Sequence, residues 1–309
     1  MFLNILILIG IFLLLAFASD LVVQKFRFLS SILNIPLFIF GVLLGMITTL
    51  PELFVGLSAI NDGIAAVSLG NLFGGIIILF GLVIPVNLLM NSEIKTSGSL
   101  KTLLPKSFLI LFPMILGLDG KLATRDGIAI ILLYIVLMIY LYFVKYNHDQ
   151  HIEVENVNPR KVGEAILITI FSITIIAVSS HFVVQIASQI LAETALDTFV
   201  VGSIFFAIFT NLPELIVSFT AVKRKSDKLS TNYITGSALA STLVVGLLAI
   251  IHPISFEITP AYYLTAFTMM ILLVMYNYFF STDRKLDRKE GMVLMIIYTV
   301  YVVASFIIK

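Results

Sequence analysis

The sequence predicts an all-α membrane protein with ten transmembrane helices, arranged as two inverted five-helix repeats. Its 309 residues are 60% hydrophobic and only 12% charged, and the mean hydropathy is +1.09. Lys and Arg residues concentrate in alternate connections between the apolar segments. A short phrase containing a proline and a glutamate occurs once in each half of the chain. Together these observations indicate a polytopic membrane protein with an internal duplication.

The predicted helices are apolar segments long enough to cross about 30 Å of hydrocarbon. The first segment ends in Ala16, Phe17 and Ala18, which resembles the cleavage site of a signal peptide. Because no Lys or Arg precedes its apolar run, we expect this segment to remain as the first membrane helix. The ten segments are 1–19, 32–60, 64–91, 103–118, 127–145, 162–191, 198–222, 229–252, 259–280 and 290–308.

The positive charges predict the orientation of these helices. Five alternate connections hold 16 of the 19 Lys and Arg residues, and the opposite face holds only Lys121, Arg125 and Lys309. Cytoplasmic connections of membrane proteins carry the excess of Lys and Arg. We therefore expect a multi-pass membrane protein with both termini extracytoplasmic.

The two halves of the chain repeat each other in a register that aligns Thr48 with Thr210 and Glu52 with Glu214. Thr48–Leu53 reads T-T-L-P-E-L, and Thr210–Leu215 reads T-N-L-P-E-L. Five helices per half is an odd number, so the second repeat must start on the opposite side of the membrane. We expect a first repeat over 1–145, a cytoplasmic linker over 146–161 and a second repeat over 162–309. Inverted repeats with broken helices are typical of alternating-access transporters.

Two buried carboxylates are the main functional signal. Of the 18 acidic residues, only Glu52 and Glu214 fall in the middle of apolar spans. An ionisable group in the membrane is costly, and it marks a functional site by default. Pseudo-symmetry is expected to bring the two glutamates together at the membrane centre, where a proton or a cation must offset their mutual repulsion.

The neighbours of these glutamates supply oxygen atoms and little else. Pro51 and Pro213 lack a backbone N–H, which leaves the carbonyls of Ile47 and Phe209 without their helical donors. Hard oxygen ligands with two carboxylates suit calcium, sodium or protons better than soft transition metals. The side-chain oxygens come from Thr48, Thr49, Thr210 and Asn211, with Ser237 and Ser241 on the following segment.

The duplicated L-P-E phrase resembles the sodium/calcium exchanger family of the cation/calcium antiporter superfamily. That family carries G-T-S-L-P-E in helices 2 and 7 and G-N-x-x-G-S in helices 3 and 8 of two inverted five-helix halves. The resemblance covers essentially the whole chain. It implies that Glu52 and Glu214 bridge the ion, that Thr48, Thr210, Gly45 and Ala207 offer backbone carbonyls, and that Ser237 matches the helix 8 serine.

The sequence also departs from the family pattern. Thr49 and Asn211 stand in place of the serines beside the sodium sites, and Gly70–Gly75 keeps the G-N-x-x-G frame but loses its serine. The amide expected four residues later is Leu79, and the acidic or amide position of helix 8 is Ser241. With only two carboxylates, the sequence favours one calcium, or one sodium with protons, over several sodium ions.

Together with the resemblance, these observations predict a cation antiporter of a prokaryotic-type plasma (cell) membrane that exchanges calcium for sodium or protons. Its expected partners are inorganic cations and the lipid bilayer. A proton-coupled or monovalent exchanger that does not use calcium is the alternative within transport. An intramembrane enzyme is disfavoured because a motif such as H-E-x-x-H is absent. A transport-silent scaffold also stays open. We expect no enzyme activity, no cofactor and no nucleic-acid partner, and the sequence leaves the oligomeric state open, a monomer included.

Overall fold

The computed structural model describes residues 2–32, 37–91, 93–95, 99–145, 159–193, 197–212, 214–215, 227–282 and 285–308. Almost all of this part of the chain is helical. The first half contains α1 (Phe2–Ile32), α2 (Leu37–Thr48), α3 (Leu50–Asn61), α4 (Ala65–Ile78), a π-helical segment (Leu79–Val83), α5 (Ile84–Asn91), β1 (Glu93–Lys95), α6 (Leu100–Leu116), a 3-10 turn (Gly117–Asp119), β2 (Lys121–Leu122) and α7 (Thr124–Lys145).

The second half follows a similar order. It contains α8 (Pro159–Glu193), α9 (Thr198–Val200), a second π-helical segment (Val201–Phe206), α10 (Ala207–Thr210), α11 (Asp227–Ile251), β3 (Ile254–Ser255), α12 (Pro260–Thr282), β4 (Lys285–Asp287) and α13 (Arg288–Ile307). The start of α8 at Pro159 shortens the end of the predicted linker, and residues 146–158 lie outside the described part of the chain.

Eight described helices are long and apolar enough to cross a membrane. The remaining two predicted segments contain shorter apolar helices, Leu50–Asn61 and Thr198–Thr210. The apolar segment 32–60 is not one helix, because Thr49 separates α2 from α3. Pro51 lies at the start of α3, where its missing N–H is tolerated and its fixed φ favours helix initiation.

The centre of the fold is the packing of α4 against the segment formed by α9, the second π-helix and α10. Gly74 lies against the backbone of Ser203, and Gly202 lies against the backbone of Val67. A Cβ atom at either glycine would overlap these backbone atoms. The two helices therefore approach backbone to backbone, as small residues allow in membrane proteins, and this crossing carries α4 past the second L-P-E phrase.

A second close crossing joins α2 and α11. A Cβ atom at Gly45 would lie 3.0 Å from the carbonyl oxygen of Gly236 and 3.4 Å from the backbone nitrogen of Ser237. Gly45 stands one turn before the break at Thr49, so this crossing sets Ser237 beside the first L-P-E phrase.

The long helices α1 and α8 pack along each other and border both phrases. In the second half, Phe209 stacks on Phe12 of α1 at 4.6 Å between ring centroids, with 13° between the ring planes. In the first half, the equivalent residue Ile47 packs among Ala18, Val22 and Ile176. Ile47 and Phe209 stand immediately before the two phrases, at the position where the family motif G-T-S-L-P-E has glycine. Their packing attaches both phrases to this helix pair.

Two short antiparallel ribbons join connections of the two halves. β1 pairs with β4, with Glu93 opposite Asp287, and Lys285 Nζ lies 3.2 Å from Glu93 Oε2. β2 pairs with β3, with Lys121 opposite Ser255. Each ribbon links a connection from one half to a connection from the other, so the ribbons tie the two halves together.

Candidate cation-binding site

The two helix breaks have nearly the same backbone conformation. Thr49 has φ −87° and ψ 7°, and Asn211, its counterpart in the second half, has φ −91° and ψ 10°. Thr49 N–H donates to Gly45 O at 3.2 Å, and Asn211 N–H donates to Ala207 O at 3.2 Å. The helical path resumes when Leu53 N–H donates to Thr49 O and Leu215 N–H donates to Asn211 O, both at 3.1 Å. Pro213 lies outside the described residues.

Each break sets a glutamate inside the protein. The side chains of Glu52 and Glu214 are 1% and 0% exposed, and their charges are close enough to repel each other. Glu52 also lies in the first turn of α3, where the helix dipole favours a negative charge. The structure therefore brings together the two carboxylates that the sequence singled out.

The two carboxylates differ in their hydrogen bonding. Glu214 Oε1 accepts a hydrogen bond from Ser237 Oγ at 3.2 Å, and the Thr48 side chain also contacts this carboxyl group. Within the described residues, Glu214 Oε2 and both carboxylate oxygens of Glu52 have no hydrogen-bond partner. Buried polar atoms are normally paired, so three unpaired carboxylate oxygens mark a place that needs a cation or a proton.

The two threonines of the first phrase bond back to their own helix. Thr48 Oγ1 donates to Gly45 O at 3.0 Å, and Thr49 Oγ1 lies 3.3 Å from Gly45 O and 3.0 Å from Met46 O. A hydroxyl that donates its one hydrogen keeps two lone pairs. Both side chains are buried, and their oxygens remain available as ligands for a cation.

The second phrase uses different partners. Thr210 Oγ1 lies 2.8 Å from Asn71 Oδ1 and 3.0 Å from Phe206 O. Asn211 Nδ2 donates to Ala207 O at 2.9 Å, while Asn211 Oδ1 has no partner among the described residues. The carbonyl of Ala207 thus receives both the backbone and the side-chain nitrogen of Asn211.

The two serines of α11, Ser237 and Ser241, have different hydrogen-bond partners. Ser237 reaches Glu214, whereas Ser241 Oγ donates to Ser237 O, one turn earlier on the same helix, at 3.2 Å. Both are buried. Ser237 therefore contacts one of the two carboxylates, and Ser241 has a hydrogen bond within α11.

Asn71 is a buried polar residue that contacts the second phrase and was not among the site residues predicted from the sequence. Its side chain is fully buried, its Oδ1 meets Thr210, and its Nδ2 has no partner in the described part of the chain. Residues 71, 75 and 79 share one face of a helix because they are four apart. Gly75 and Leu79 had already been compared with the family pattern, and the four-residue spacing that links them to Asn71 was the sequence signal that could have identified this residue.

The assembled groups are chemically uniform. They comprise two carboxylates, hydroxyls, amides and backbone carbonyls, and the described residues contain no cluster of three or more His, Asp or Glu side chains. Such oxygen ligands match hard cations. The chemistry of these groups therefore suits a hard cation better than a soft one.

Comparison with known proteins agrees with this chemistry. A family model described as sodium/calcium exchanger protein matches residues 3–143 and 164–307. The chain belongs to the sodium/calcium exchanger family. The family resemblance that was recognised from the L-P-E phrases is thereby confirmed, and membership indicates a membrane protein of ion transport.

Individual proteins are similar to this chain over almost its whole length. An uncharacterized membrane protein of Methanocaldococcus jannaschii is 27% identical over 293 residues, covering 93% of this chain and 93% of that protein. The solved sodium-calcium exchanger NCX_Mj has a TM-score of 0.67 at 24% identity, covering 96% of this chain and 97% of its own. The H+/Ca2+ exchanger CAX has a TM-score of 0.79 at 17% identity, covering 98% of this chain and 86% of its own. These two structures share the fold of this protein.

Proposed function

We propose that this protein is a cation antiporter that exchanges calcium for sodium or protons across the plasma membrane by alternating access. The observation that carries the proposal is the pair of buried carboxylates, Glu52 and Glu214, with three oxygens that lack a partner among the described residues. Calcium exchange is also the activity given in the names of the two solved exchangers of the same fold.

The proposed architecture has ten crossings in two inverted repeats, with both termini extracytoplasmic. Its support is the pair of matched breaks at Thr49 and Asn211, which occupy equivalent positions of the two repeats. The positive charges of alternate connections support the orientation. In this arrangement the two glutamates approach each other from opposite halves.

The proposed passenger site uses oxygen ligands from both halves. Glu52 and Glu214 bridge the divalent ion, with the backbone carbonyls of Thr48 and Thr210 beside them. A coupling cation competes with calcium at the two flanks of this site. One flank is formed by Gly45 and Thr49, and the other by Ala207 and Asn211. Ser237 supports Glu214 through its hydrogen bond, and Ser241 contributes through Ser237, whose carbonyl it contacts.

Charge neutralisation explains why such a site would exchange ions without leaking them. Moving an uncompensated carboxylate through a low-dielectric barrier costs several kcal/mol per ion. A site carrying two charges and no passenger therefore resists the conformational change. When calcium, sodium or protons neutralise the carboxylates, this penalty falls, and the two access states can interconvert.

Transport into proteoliposomes tests the proposal. The purified chain should accumulate calcium when an outward gradient of sodium or protons is imposed. Glu52→Gln and Glu214→Gln should each abolish this exchange without loss of folded protein, because each removes half of the bridging charge. Glu257→Gln is the matched control, since Glu257 is exposed. Unchanged transport in either buried variant would overturn the proposal.

A second candidate is a proton-coupled or monovalent exchanger that does not carry calcium. The observation that favours it lies on α4, where Gly75 has no side chain and the buried Leu79 is apolar, so neither position supplies a side-chain oxygen. Direct binding separates the candidates. Calcium that fails to displace bound sodium would support the second candidate, and efficient displacement would support the first.

A further inference from the structure

A hydrogen bond between the two halves holds the residue that precedes the second helix break. Thr210, the last residue of α10, donates its hydroxyl hydrogen to Asn71 Oδ1 at 2.8 Å. The same hydroxyl lies 3.0 Å from Phe206 O, one turn back on its own segment, so the contact with Asn71 is the shorter one. Asn71 belongs to α4 of the first half, and its side chain is 0% exposed. A buried side chain of one half therefore anchors the break of the other.

The backbone of α4 is a firm support at this point. Gly70 and Gly74 flank Asn71, and a Cβ atom at either position would overlap backbone atoms of the segment formed by α9, the second π-helix and α10. A Cβ atom at Gly202 of that segment would lie 3.0 Å from the backbone nitrogen of Asn71. Because backbones and not flexible side chains make these contacts, Asn71 has little freedom to shift away from Thr210.

The first break is held in a different way. In the repeat alignment, Thr48 corresponds to Thr210, and Tyr233 corresponds to Asn71. Thr48 Oγ1 donates to Gly45 O at 3.0 Å, and its side chain also contacts the carboxyl group of Glu214. A carboxylate changes its interactions when a cation arrives, whereas an amide oxygen carries no charge. The bond from Thr210 to Asn71 can therefore persist in the empty and in the occupied site.

We propose that Asn71 is a positioning residue of the cation site, which fixes the break between Thr210 and Asn211 through the Thr210 hydroxyl and so preorganises the Thr210 carbonyl for calcium. This inference rests on the proposed function and deepens it by adding a residue that acts through another residue. Preorganisation raises affinity because less ordering is required at the moment of binding. Asn71 thus contributes to the binding of calcium and not to the conformational step.

Calcium titration of the purified full-length protein tests the inference. Calcium-dependent melting temperature reports binding, and initial rates in proteoliposomes report transport. Thr210→Val removes the hydroxyl while keeping the branched shape, and it should weaken calcium binding about fivefold, as expected for the loss of one neutral hydrogen bond. The KM for calcium should rise by the same factor at an unchanged maximal rate. Thr210→Ser retains the hydroxyl and should stay close to wild type.

A change on the other side of the bond tests whether Asn71 is the partner that matters. Asn71→Ala should weaken calcium binding to a similar extent, and the double variant with Thr210→Val should be no weaker than the single ones, because both changes break the same bond. Ser68→Ala is the matched control. Ser68 is 0% exposed on the same helix, and its hydroxyl has no hydrogen-bond partner within the described residues, so calcium affinity should not change. If Asn71→Ala does not fold, the comparison of Thr210→Val with Thr210→Ser decides.

The outcomes that overturn the inference are distinct from failure of the proposed function. Wild-type calcium affinity in folded Thr210→Val would contradict the inference, and so would additive losses in the double variant. A lower maximal rate at constant KM would also contradict it, because the bond would then act in the conformational step. Absence of any calcium exchange that depends on Glu52 and Glu214 in the wild-type protein would instead refute the proposed function.

Discussion

Glu52 and Glu214 occupy equivalent places in the two halves, yet their surroundings are not equivalent. Glu214 receives the hydroxyl of Ser237 and contacts Thr48. In the repeat alignment, the counterpart of Ser237 is Gly75, and the counterpart of Thr48 is Thr210, whose hydroxyl meets Asn71 instead. Neither carboxylate oxygen of Glu52 has a partner among the described residues.

This difference teaches that a repeated backbone need not repeat its chemistry. The matched breaks at Thr49 and Asn211 deliver one carboxylate from each half. The residues on α4 and α11 then decide how firmly each carboxylate is held. Glu214 is positioned by protein hydrogen bonds, and Glu52 depends on what enters the site.

The helix crossings provide the comparison with the largest expected effect. A Cβ atom at Gly74 would overlap the Ser203 backbone, whereas one at Gly45 would still lie 3.0 Å from the carbonyl oxygen of Gly236. Gly74→Ala should destabilise the protein by about 3 kcal/mol or prevent folding, because a backbone must move. Gly45→Ala should cost less, because a smaller shift relieves its contact. Thermal melting of the detergent-solubilised protein measures both.

Gly163→Ala is the control for these substitutions, because no atom lies within 4 Å of its added Cβ. It should leave the melting temperature unchanged or raise it, since alanine favours a helix over glycine by about 1 kcal/mol. Equal losses for Gly74→Ala and Gly45→Ala would show that the two crossings are equally tight.

Shortening each glutamate tests the unequal support of the carboxylates. Glu214→Asp should weaken calcium binding more than Glu52→Asp, because it also breaks the hydrogen bond from Ser237. The loss of a hydrogen bond to a charged group predicts a further difference of about tenfold, or about 1.4 kcal/mol. Calcium-dependent thermal stabilisation provides the measurement. Equal weakening would remove the distinction between the two glutamates.

The contact between Asn71 and Thr210 accounts for one of the differences around Glu52. A double-mutant cycle of Asn71→Ala and Thr210→Val should give a coupling of about 1 kcal/mol, as expected for one buried hydrogen bond. The same cycle with Tyr233, the counterpart of Asn71, and Thr48 serves as the comparison. Additive effects of Asn71→Ala and Thr210→Val would mean that Asn71 does not hold the threonine.

The smallest effect is expected where the phrases meet α1 and α8. Phe209→Leu should cost about 0.5–1.5 kcal/mol beyond the lost buried area, because the stack with Phe12 is removed. Ile47→Leu, at the equivalent first-half position, changes shape but not volume and should cost less. Melting of both variants in parallel checks the ranking. An equal loss would indicate that stacking adds nothing beyond burial.

Several features of this protein could be predicted from its sequence because they depend only on residues that are neighbours along the chain. Hydropathy identifies the membrane-spanning segments, because each helix in lipid must satisfy its own backbone hydrogen bonds and expose apolar side chains. The two L-P-E phrases identified Glu52 and Glu214 and predicted helix interruptions, because the proline acts on its own turn of helix. The same phrases sufficed for recognising the family, which the match over residues 3–143 and 164–307 confirmed.

What the sequence by itself determined was therefore the membrane class, the place of the carboxylates and the oxygen-rich character of their surroundings. Only the tertiary structure decided that Asn71 meets Thr210, that the Asn211 amide lies against Gly75, and that Ser241 bonds within its own helix. Those contacts depend on which glycines let two helices approach and on the rotamer each side chain then adopts. Because the residues that face the two helix breaks differ, two related halves give their glutamates chemically different surroundings.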